Sequence, residues 1–310
     1  MEHDTAGDPI TGIKWSRRNT RKIAEQLATL GIAVSKNTVG RLLKGMDFKL
    51  RVNRKQISSS QSPLRNQQFL YIGEQRQRLA AQGVPILSVD SKKKELIGAF
   101  KNPGTKWDRQ PELVKDHDFR SEAKALVTPR GIYDIQANRG SVFVGISHDT
   151  PAFAVDTIAQ WWQYEGRLRY PQARQIFILA DGGGSNGPRC RAWKKALQDR
   201  ICNPLGLTVT VSHYPPGTSK WNPIEHRLFS QISKNWAGQP LTDLETMLNF
   251  IRTTKTKTGL SVSAYLIPET YDTGIKISDQ QMRQLNLVKQ DVLGLWNYSV
   301  RPVPNVPNVN

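Results

Sequence analysis

Cysteine is nearly absent. Cys190 and Cys202 are the only two in 310 residues, which excludes a disulfide framework and a cysteine-built structural zinc site. Both read as reduced thiols, and the expected compartment is the cytoplasm. No apolar run approaches the roughly 18 residues of a membrane span, and the opening MEHDTAGDP has no basic-then-apolar leader pattern. Internal repeats are lacking. Acidic residues are scarce: 26 Asp and Glu stand against 44 Lys and Arg, a formal net charge of +18. Such a balance favours a polyanionic partner, most often nucleic acid. The hydrophobic share of 38% is enough for a packed core, which excludes wholesale disorder.

The basic excess is concentrated near the start. From Lys14 to Lys55 there are twelve Lys or Arg and only two acidic residues, Glu25 and Asp47. Within it, TRKIAEQLATL (20–30) places Ile23, Ala24, Leu27 and Leu30 on one helical face, and Gly31 ends the pattern. Ser35 is a natural N-cap for SKNTVGRLLKG, with Val39, Leu42 and Leu43 inward and Gly45 as the stop. Two short helices joined by a tight turn, the second exposing Lys36, Asn37, Arg41 and Lys44, read as a helix-turn-helix DNA-binding segment over 1–48. A basic, Ser/Gln-rich linker is expected over 49–63, then a helix from Arg65 to Ala81.

From Val84 onward strands and helices alternate. VPILSVD (84–90) reads as a strand entering the charged patch SKKKE. GIYDI (131–135) and SVFVGIS (141–147) read as a hairpin. Thr150 caps a helix with Pro151 in its first turn; IFILAD (176–181), RAWKKALQDRI, LTVTVSHY (207–214) and NPIEHRLFSQISKNW (222–236) continue as strand, helix, strand, helix. An antiparallel start feeding parallel β-α units predicts an α/β domain over 64–240, its mixed sheet flanked by helices. A C-terminal extension over 241–300 carries two expected capping boxes, Thr242–Glu245 and Ser278–Gln281, and a strand-like LSVSAYL; residues 301–310 read as an unstructured tail.

The loop ADGGGSNG spells G-x-G-x-x-G at Gly182, Gly184 and Gly187. A dinucleotide site would also need an acidic residue at the end of the next strand, which here ends Ser212-His213-Tyr214. A P-loop would need Lys-Ser/Thr where Pro188-Arg189 stand. Nucleotide binding is therefore set aside, and the glycines read as room for a substrate beside Asp181.

Carboxylates give the other reading. Asp90 and Asp181 fall at strand ends, and Glu225 opens the helix after the last of these strands. Ligands gather at the carboxyl ends of strands in open sheets. Carboxylates converging there suit Mg²⁺, and two such ions can serve an in-line phosphoryl displacement. Glu225 has a rival role, because Asn222-Pro223-Ile224-Glu225 matches a capping box. Asp134 and Asp149 are further carboxylates near strands that could compete for metal, and His213 and His226 flank the site as structural or DNA-contacting groups.

Three stretches, SVDSKKKELIGAFKNPG, ADGGGSNG and HYPPGTSKWNPIEHRLFSQISKNW, closely resemble the ISAzo-thirteen family of bacterial insertion-sequence transposases. The last also resembles the PP…NPIEH signature of the wider mariner-like group, and the likeness runs from about Trp15 to Tyr298. The resemblance implies a DDE transposase with an RNase H-like catalytic domain. Its acidic triad falls on Asp90, Asp181 and Glu225, with 90 and 43 residues between successive members. It further implies two Mg²⁺ ions, with Mn²⁺ as a substitute, and DNA as partner, both transposon terminal repeats and target. A homo-oligomer on DNA and a nucleoid-associated place in the cytoplasm follow from the same likeness. Lys92, Lys93, Lys94 and Lys220 are candidates for phosphate contacts. Members of that family carry further DNA-binding sequence ahead of the stretch matching Met1, so an N-terminally shortened copy is expected. Two other classes stay open: a structure-specific nuclease on the same fold, and a catalytically silent DNA-binding remnant.

Overall fold

The computed structural model describes residues 5–7, 14–16, 19–49 and 64–304. The expected linker from residue 50 onward and the tail from 305 lie outside the described residues. The chain divides into two units, 1–57 and 58–310.

In the first unit, β1 (Thr5–Gly7) and β2 (Lys14–Ser16) form a short antiparallel ladder. Two helices follow, α1 (Thr20–Thr29) and α2 (Lys36–Gly45). Their N-termini are capped by side chains: Asn19 accepts from the Lys22 amide and Ser35 from the Thr38 amide, each cap contributing about 1 kcal/mol. Gly31 leaves α1 with φ +81, as the sequence pattern requires. The second helix stops differently: Gly45 is its last residue and Asp47 takes the positive φ. Ile23 and Val39 are buried, whereas Leu30 and Leu42, expected inward, are 68% and 52% exposed. The seam of a two-helix hairpin covers only one stripe of each helix, too narrow for every apolar residue on the expected faces.

The second unit is built on one sheet. Its helix α3 (Arg65–Ala81) matches the expected span. The strands are β3 (Ile86–Ser91), β4 (Glu95–Ile97), β5 (Ala125–Asp134), β6 (Arg139–Gly145), β7 (Gln175–Ala180), β8 (Thr208–His213), β9 (Ser261–Ile267), β10 (Leu287–Lys289) and β11 (Asn297–Val300). The central run is β6-β5-β3-β7-β8. β6, β5 and β3 pair antiparallel, while β3, β7 and β8 pair parallel. Numbered within this core the order is 3-2-1-4-5, the arrangement of an RNase H-like fold. β9 adds to β6, and β11 with β10 adds to β8. The stretch expected as a C-terminal extension thus supplies both edges of the same sheet.

Helices cover both faces. On one, α4 (Pro151–Trp161) continues through a π turn (Trp162–Gly166) into α5 (Arg167–Arg169), beside α6 (Arg191–Leu197), which runs through a second π turn (Gln198–Cys202) into α7 (Asn203–Leu205). Thr150 caps α4 as expected. Trp161, Trp193, Leu197 and Ile201 from these helices pack on Leu87, Val89, Ile132, Ile176 and Ile178. On the other face lie α3, α8 (Ser230–Asn235) and α9 (Leu244–Arg252), with Ile224, Leu228, Phe229 and Ile232 packed on Tyr133, Val142 and Val144. The alternation of core residues along β3 and β7 sends odd and even positions to opposite faces. Asp90 shares its parity with Ile86, and Asp181 with Phe177 and Leu179, residues packed with α3. Asp90 therefore belongs to the face that carries Glu225, while Asp181 lies just past the end of β7.

Of the two expected capping boxes, the one opening α10 (Asp279–Arg283) is present at Ser278 and Gln281. The other is corrected: α9 is capped by Asp243, not Thr242, and Asp243 accepts from the Thr246 amide at 2.7 Å.

Candidate active site

The Glu225 helix is clamped onto β3 by two buried polar side chains. Ser88 donates to the Asn222 side-chain oxygen and accepts from the Ile224 amide at 3.0 Å, while the Asn222 amide group reaches the Val89 carbonyl at 3.5 Å. The Asn222–Glu225 capping box expected from sequence is thus replaced: the cap comes from Ser88, across the sheet, and Asn222 is used up on β3. Glu225 is left free of a capping role. It opens a π turn (Glu225–Phe229) before α8, where a straight α-helix was expected; π turns of this kind recur at functional sites. Close approach depends on Gly131, which pairs with Asp90. A Cβ there would lie 2.5 Å from Phe229 and 2.8 Å from Ile224.

Asp90 sits at the carboxyl end of β3, and Asp181 directly follows β7, the parallel neighbour. Burial, then the charges of Asp181 and Glu225, push the Asp90 carboxyl from 3.8 up to about 7, against the lowering effect of the Ser91 amide and Arg130. Asp181 is raised mainly by burial and also by Asp149. The Ser91 amide donates to Asp90 at 2.7 Å, and the Gly183 amide reaches Asp181 at 3.4 Å. Among the described residues no three His, Cys, Asp or Glu side chains are gathered closely enough to hold a metal ion. The donors are hard carboxylate oxygens crowded by like charge, and an open set leaves positions for water and phosphate oxygens. That chemistry fits Mg²⁺.

The glycine loop turns through a 3₁₀ segment (Gly184–Asn186), and no helix begins until Arg191. A phosphate-cradling loop would run into a helix N-terminus; this one does not. Gly184 is required by its φ of +68, whereas Gly183 has open space where a Cβ would go.

The remaining carboxylates separate. Asp134 pairs with Leu87, at the far end of β3 from Asp90, and is held by Arg169 at 2.9 Å and the Tyr170 hydroxyl at 3.0 Å. It belongs to the scaffold. Asp149 follows β6 at the site end of the sheet, accepting from Ser185 at 3.0 Å.

His213 is fully buried, and burial lowers it to about 4. Its Nδ1 donates to the Asp181 carbonyl at 2.9 Å and its Nε2 accepts from the Tyr298 hydroxyl at 3.1 Å. A carbonyl can only accept, which fixes the neutral tautomer. This histidine anchors the backbone at Asp181. His226 is exposed and bonds the Lys220 carbonyl.

Lys92 is corrected. It is 8% exposed, paired with Glu95, and lies 4.7 Å from the Trp236 ring, so it stabilises the β3–β4 corner and presents no charge to DNA. The turn between β3 and β4 tucks Lys92 inward against Glu95 and Trp236 while its neighbours Lys93 and Lys94 stay outside. Lys93, Lys94 and Lys220 are exposed, as are Lys36, Asn37, Arg41 and Lys44 of the first unit. Sequence reasoning missed Arg130 and Ser185. An arginine amid the apolar residues of β5 was the available signal.

The 3-2-1-4-5 sheet with carboxylates at the ends of its first and fourth strands places the second unit in the RNase H-like class. The chain belongs to the family described as Rhodopirellula transposase DDE domain, whose model matches residues 1–302, in line with the ISAzo-thirteen resemblance. No curated protein matches it. Among solved structures, the Mos1 transposase paired-end complex with left transposon end is 17% identical over 75% of this chain, at a TM-score of 0.45. The Mos1 Strand Transfer Complex gives 17% and 0.45, and the mariner Mos1 paired end complex with Mg 15% and 0.43. This chain spans 65% of the length of the first of these. No helix among the described residues is long and apolar enough to cross a membrane.

Proposed function

We propose that the chain is a DDE transposase that cuts DNA at transposon ends and joins the freed 3′-hydroxyl to target DNA. Asp90, Asp181 and Glu225 would hold two Mg²⁺ ions, or Mn²⁺ in their place. When bound, such ions supply positive charge to the attacking and leaving oxygens of an in-line phosphoryl displacement. The observation that supports the reading is that Asp90 and Asp181 stand at the carboxyl ends of neighbouring parallel strands, and that the charges of Asp181 and Glu225 both help raise the Asp90 carboxyl.

The chain's own groups do the positioning. Ser88, Asn222 and Gly131 fix the Glu225 helix against β3, and His213 fixes the Asp181 backbone. The open space at Gly183 would admit a DNA strand beside Asp181. Lys93, Lys94 and Lys220 offer phosphate contacts, and Lys36, Asn37, Arg41 and Lys44 of α2 are the groups that would meet terminal-repeat DNA. The element's DNA is in the nucleoid, so that is where the chain would act. Incubation with the element's terminal repeats in Mg²⁺, followed by mapping of 3′ ends, tests this reading. Strand transfer from a pre-cut end separates it from hydrolysis alone.

A further inference from the structure

Arg130 is fully buried, on β5, with its side chain on the face of Ile132 and α4, opposite to Asp90. Its Nη1 lies 3.0 Å from the Ser91 hydroxyl, 3.4 Å from the Ser185 hydroxyl and 3.9 Å from the Asp149 carboxylate. Nε and Nη2 have no hydrogen-bond partner. A guanidinium carries five donors in a fixed fork, and a structural Arg–carboxylate pair normally uses two of them side by side. Here one nitrogen serves two hydroxyls and a carboxylate at the limit of contact. Burial without that geometry is a heavy cost unless the charge itself is wanted. The charges that act on Arg130 are those of Asp149, Asp90 and Asp181. Buried behind the sheet, it has no access to DNA.

We propose that Arg130 is the resident counter-cation of the acidic end, held behind the sheet to neutralise Asp90 and Asp181 while no divalent ion is bound and to oppose the charge of an ion that is. It would thereby set how tightly the site takes its metal. Its hydroxyl partners follow the two carboxylates in sequence, Ser91 directly after Asp90 and Ser185 in the loop after Asp181. Arg130 is thus a positioning residue that also ties down both segments. The inference rests on the metal-site reading above.

The test compares wild type, Arg130→Met and Arg130→Lys, all as the full chain. Mn²⁺ binding is followed by the paramagnetic signal of the free ion, and thermal unfolding is measured in EDTA and in Mg²⁺. Arg130→Met should bind Mn²⁺ roughly fivefold or more tightly, since a nearby like charge is gone, and should gain more from Mg²⁺ in unfolding temperature. Arg130→Lys keeps the charge and should stay within about twofold of wild type. A purely structural arginine would leave Mn²⁺ affinity unchanged or lower in Arg130→Met, and either result overturns the proposal. If Arg130→Met does not fold in EDTA, recovery on refolding with Mg²⁺ supports it, and failure in both conditions overturns it. A wild-type protein that ignores Mn²⁺ removes the metal reading and this inference together. Wild-type binding with an unaltered Arg130→Met removes the inference alone.

Discussion

Replacing Asp90 by Asn should stabilise the metal-free protein while destroying its activity. The Asp90 carboxyl is moved from 3.8 to about 7 by burial and by its acidic neighbours. A raised carboxyl pKa means that the folded state binds more protons than the unfolded state between those two values, so stability falls as pH rises from about 3.8 to 7 and stays low above. At 1.36 kcal/mol per unit, a shift of about three units sets a ceiling of roughly 4 kcal/mol on the penalty at pH 8. Asn carries no charge and escapes it. Half of that ceiling corresponds to a rise of roughly 4–8 °C in unfolding temperature for a domain of this size. Thermal unfolding in EDTA from pH 4 to pH 8 should show a gap between Asp90→Asn and wild type that opens through the window and closes toward pH 4. With Mg²⁺ the order should reverse, because a bound ion stabilises only the form that takes it. A gap that ignores pH, or a variant less stable than wild type at pH 8, would refute the reasoning.

Ser88→Ala removes the buried hydroxyl that caps the Glu225 helix; it should cost about 1–2 kcal/mol in urea unfolding, and an unchanged midpoint would return the cap to Asn222. Gly131→Ala inserts a Cβ 2.5 Å from Phe229, so it should lift the helix, cost about 1–3 kcal/mol and cut DNA cleavage more than DNA binding. Arg41→Ala should weaken DNA binding and reduce its salt slope by roughly 0.9 if Arg41 meets a phosphate, or relax sequence preference if it meets a base. Unaltered affinity and preference in a titration series would remove Arg41 from the interface.

Much of the site-bearing scaffold could be read from residues in order. VPILSVD, IFILAD and LTVTVSHY are apolar, β-branched runs closed by polar residues, and they became β3, β7 and β8 within about two residues. What stayed hidden depended on contacts distant in sequence. The strands β10 and β11 are three and four residues long, too short for a period to register. The Asn222 cap was a sound local pattern that lost to Ser88, 134 residues away in the chain. Lys92 looked like surface charge until Glu95 and the Trp236 ring, the latter distant in sequence, took it inside. Arg130 gave no local signal beyond being an arginine in an apolar strand, because its meaning lies in carboxylates brought up by three other segments.

The central claim rests on Glu225 as a metal-holding carboxylate with no capping duty, and one measurement addresses it. Terminal-repeat DNA would be incubated with wild type and Glu225→Gln, in Mg²⁺ and in EDTA, with 3′ ends mapped and DNA binding and thermal unfolding measured alongside. Wild type should cut in Mg²⁺ and not in EDTA. Glu225→Gln should fold and bind DNA as wild type does, since Ser88 and Asn222 hold the helix, yet cut slower by orders of magnitude because the amide lacks the charge that Mg²⁺ ligation uses. A Glu225→Gln protein that cuts at the wild-type rate, or a wild type that cuts in EDTA, contradicts the account.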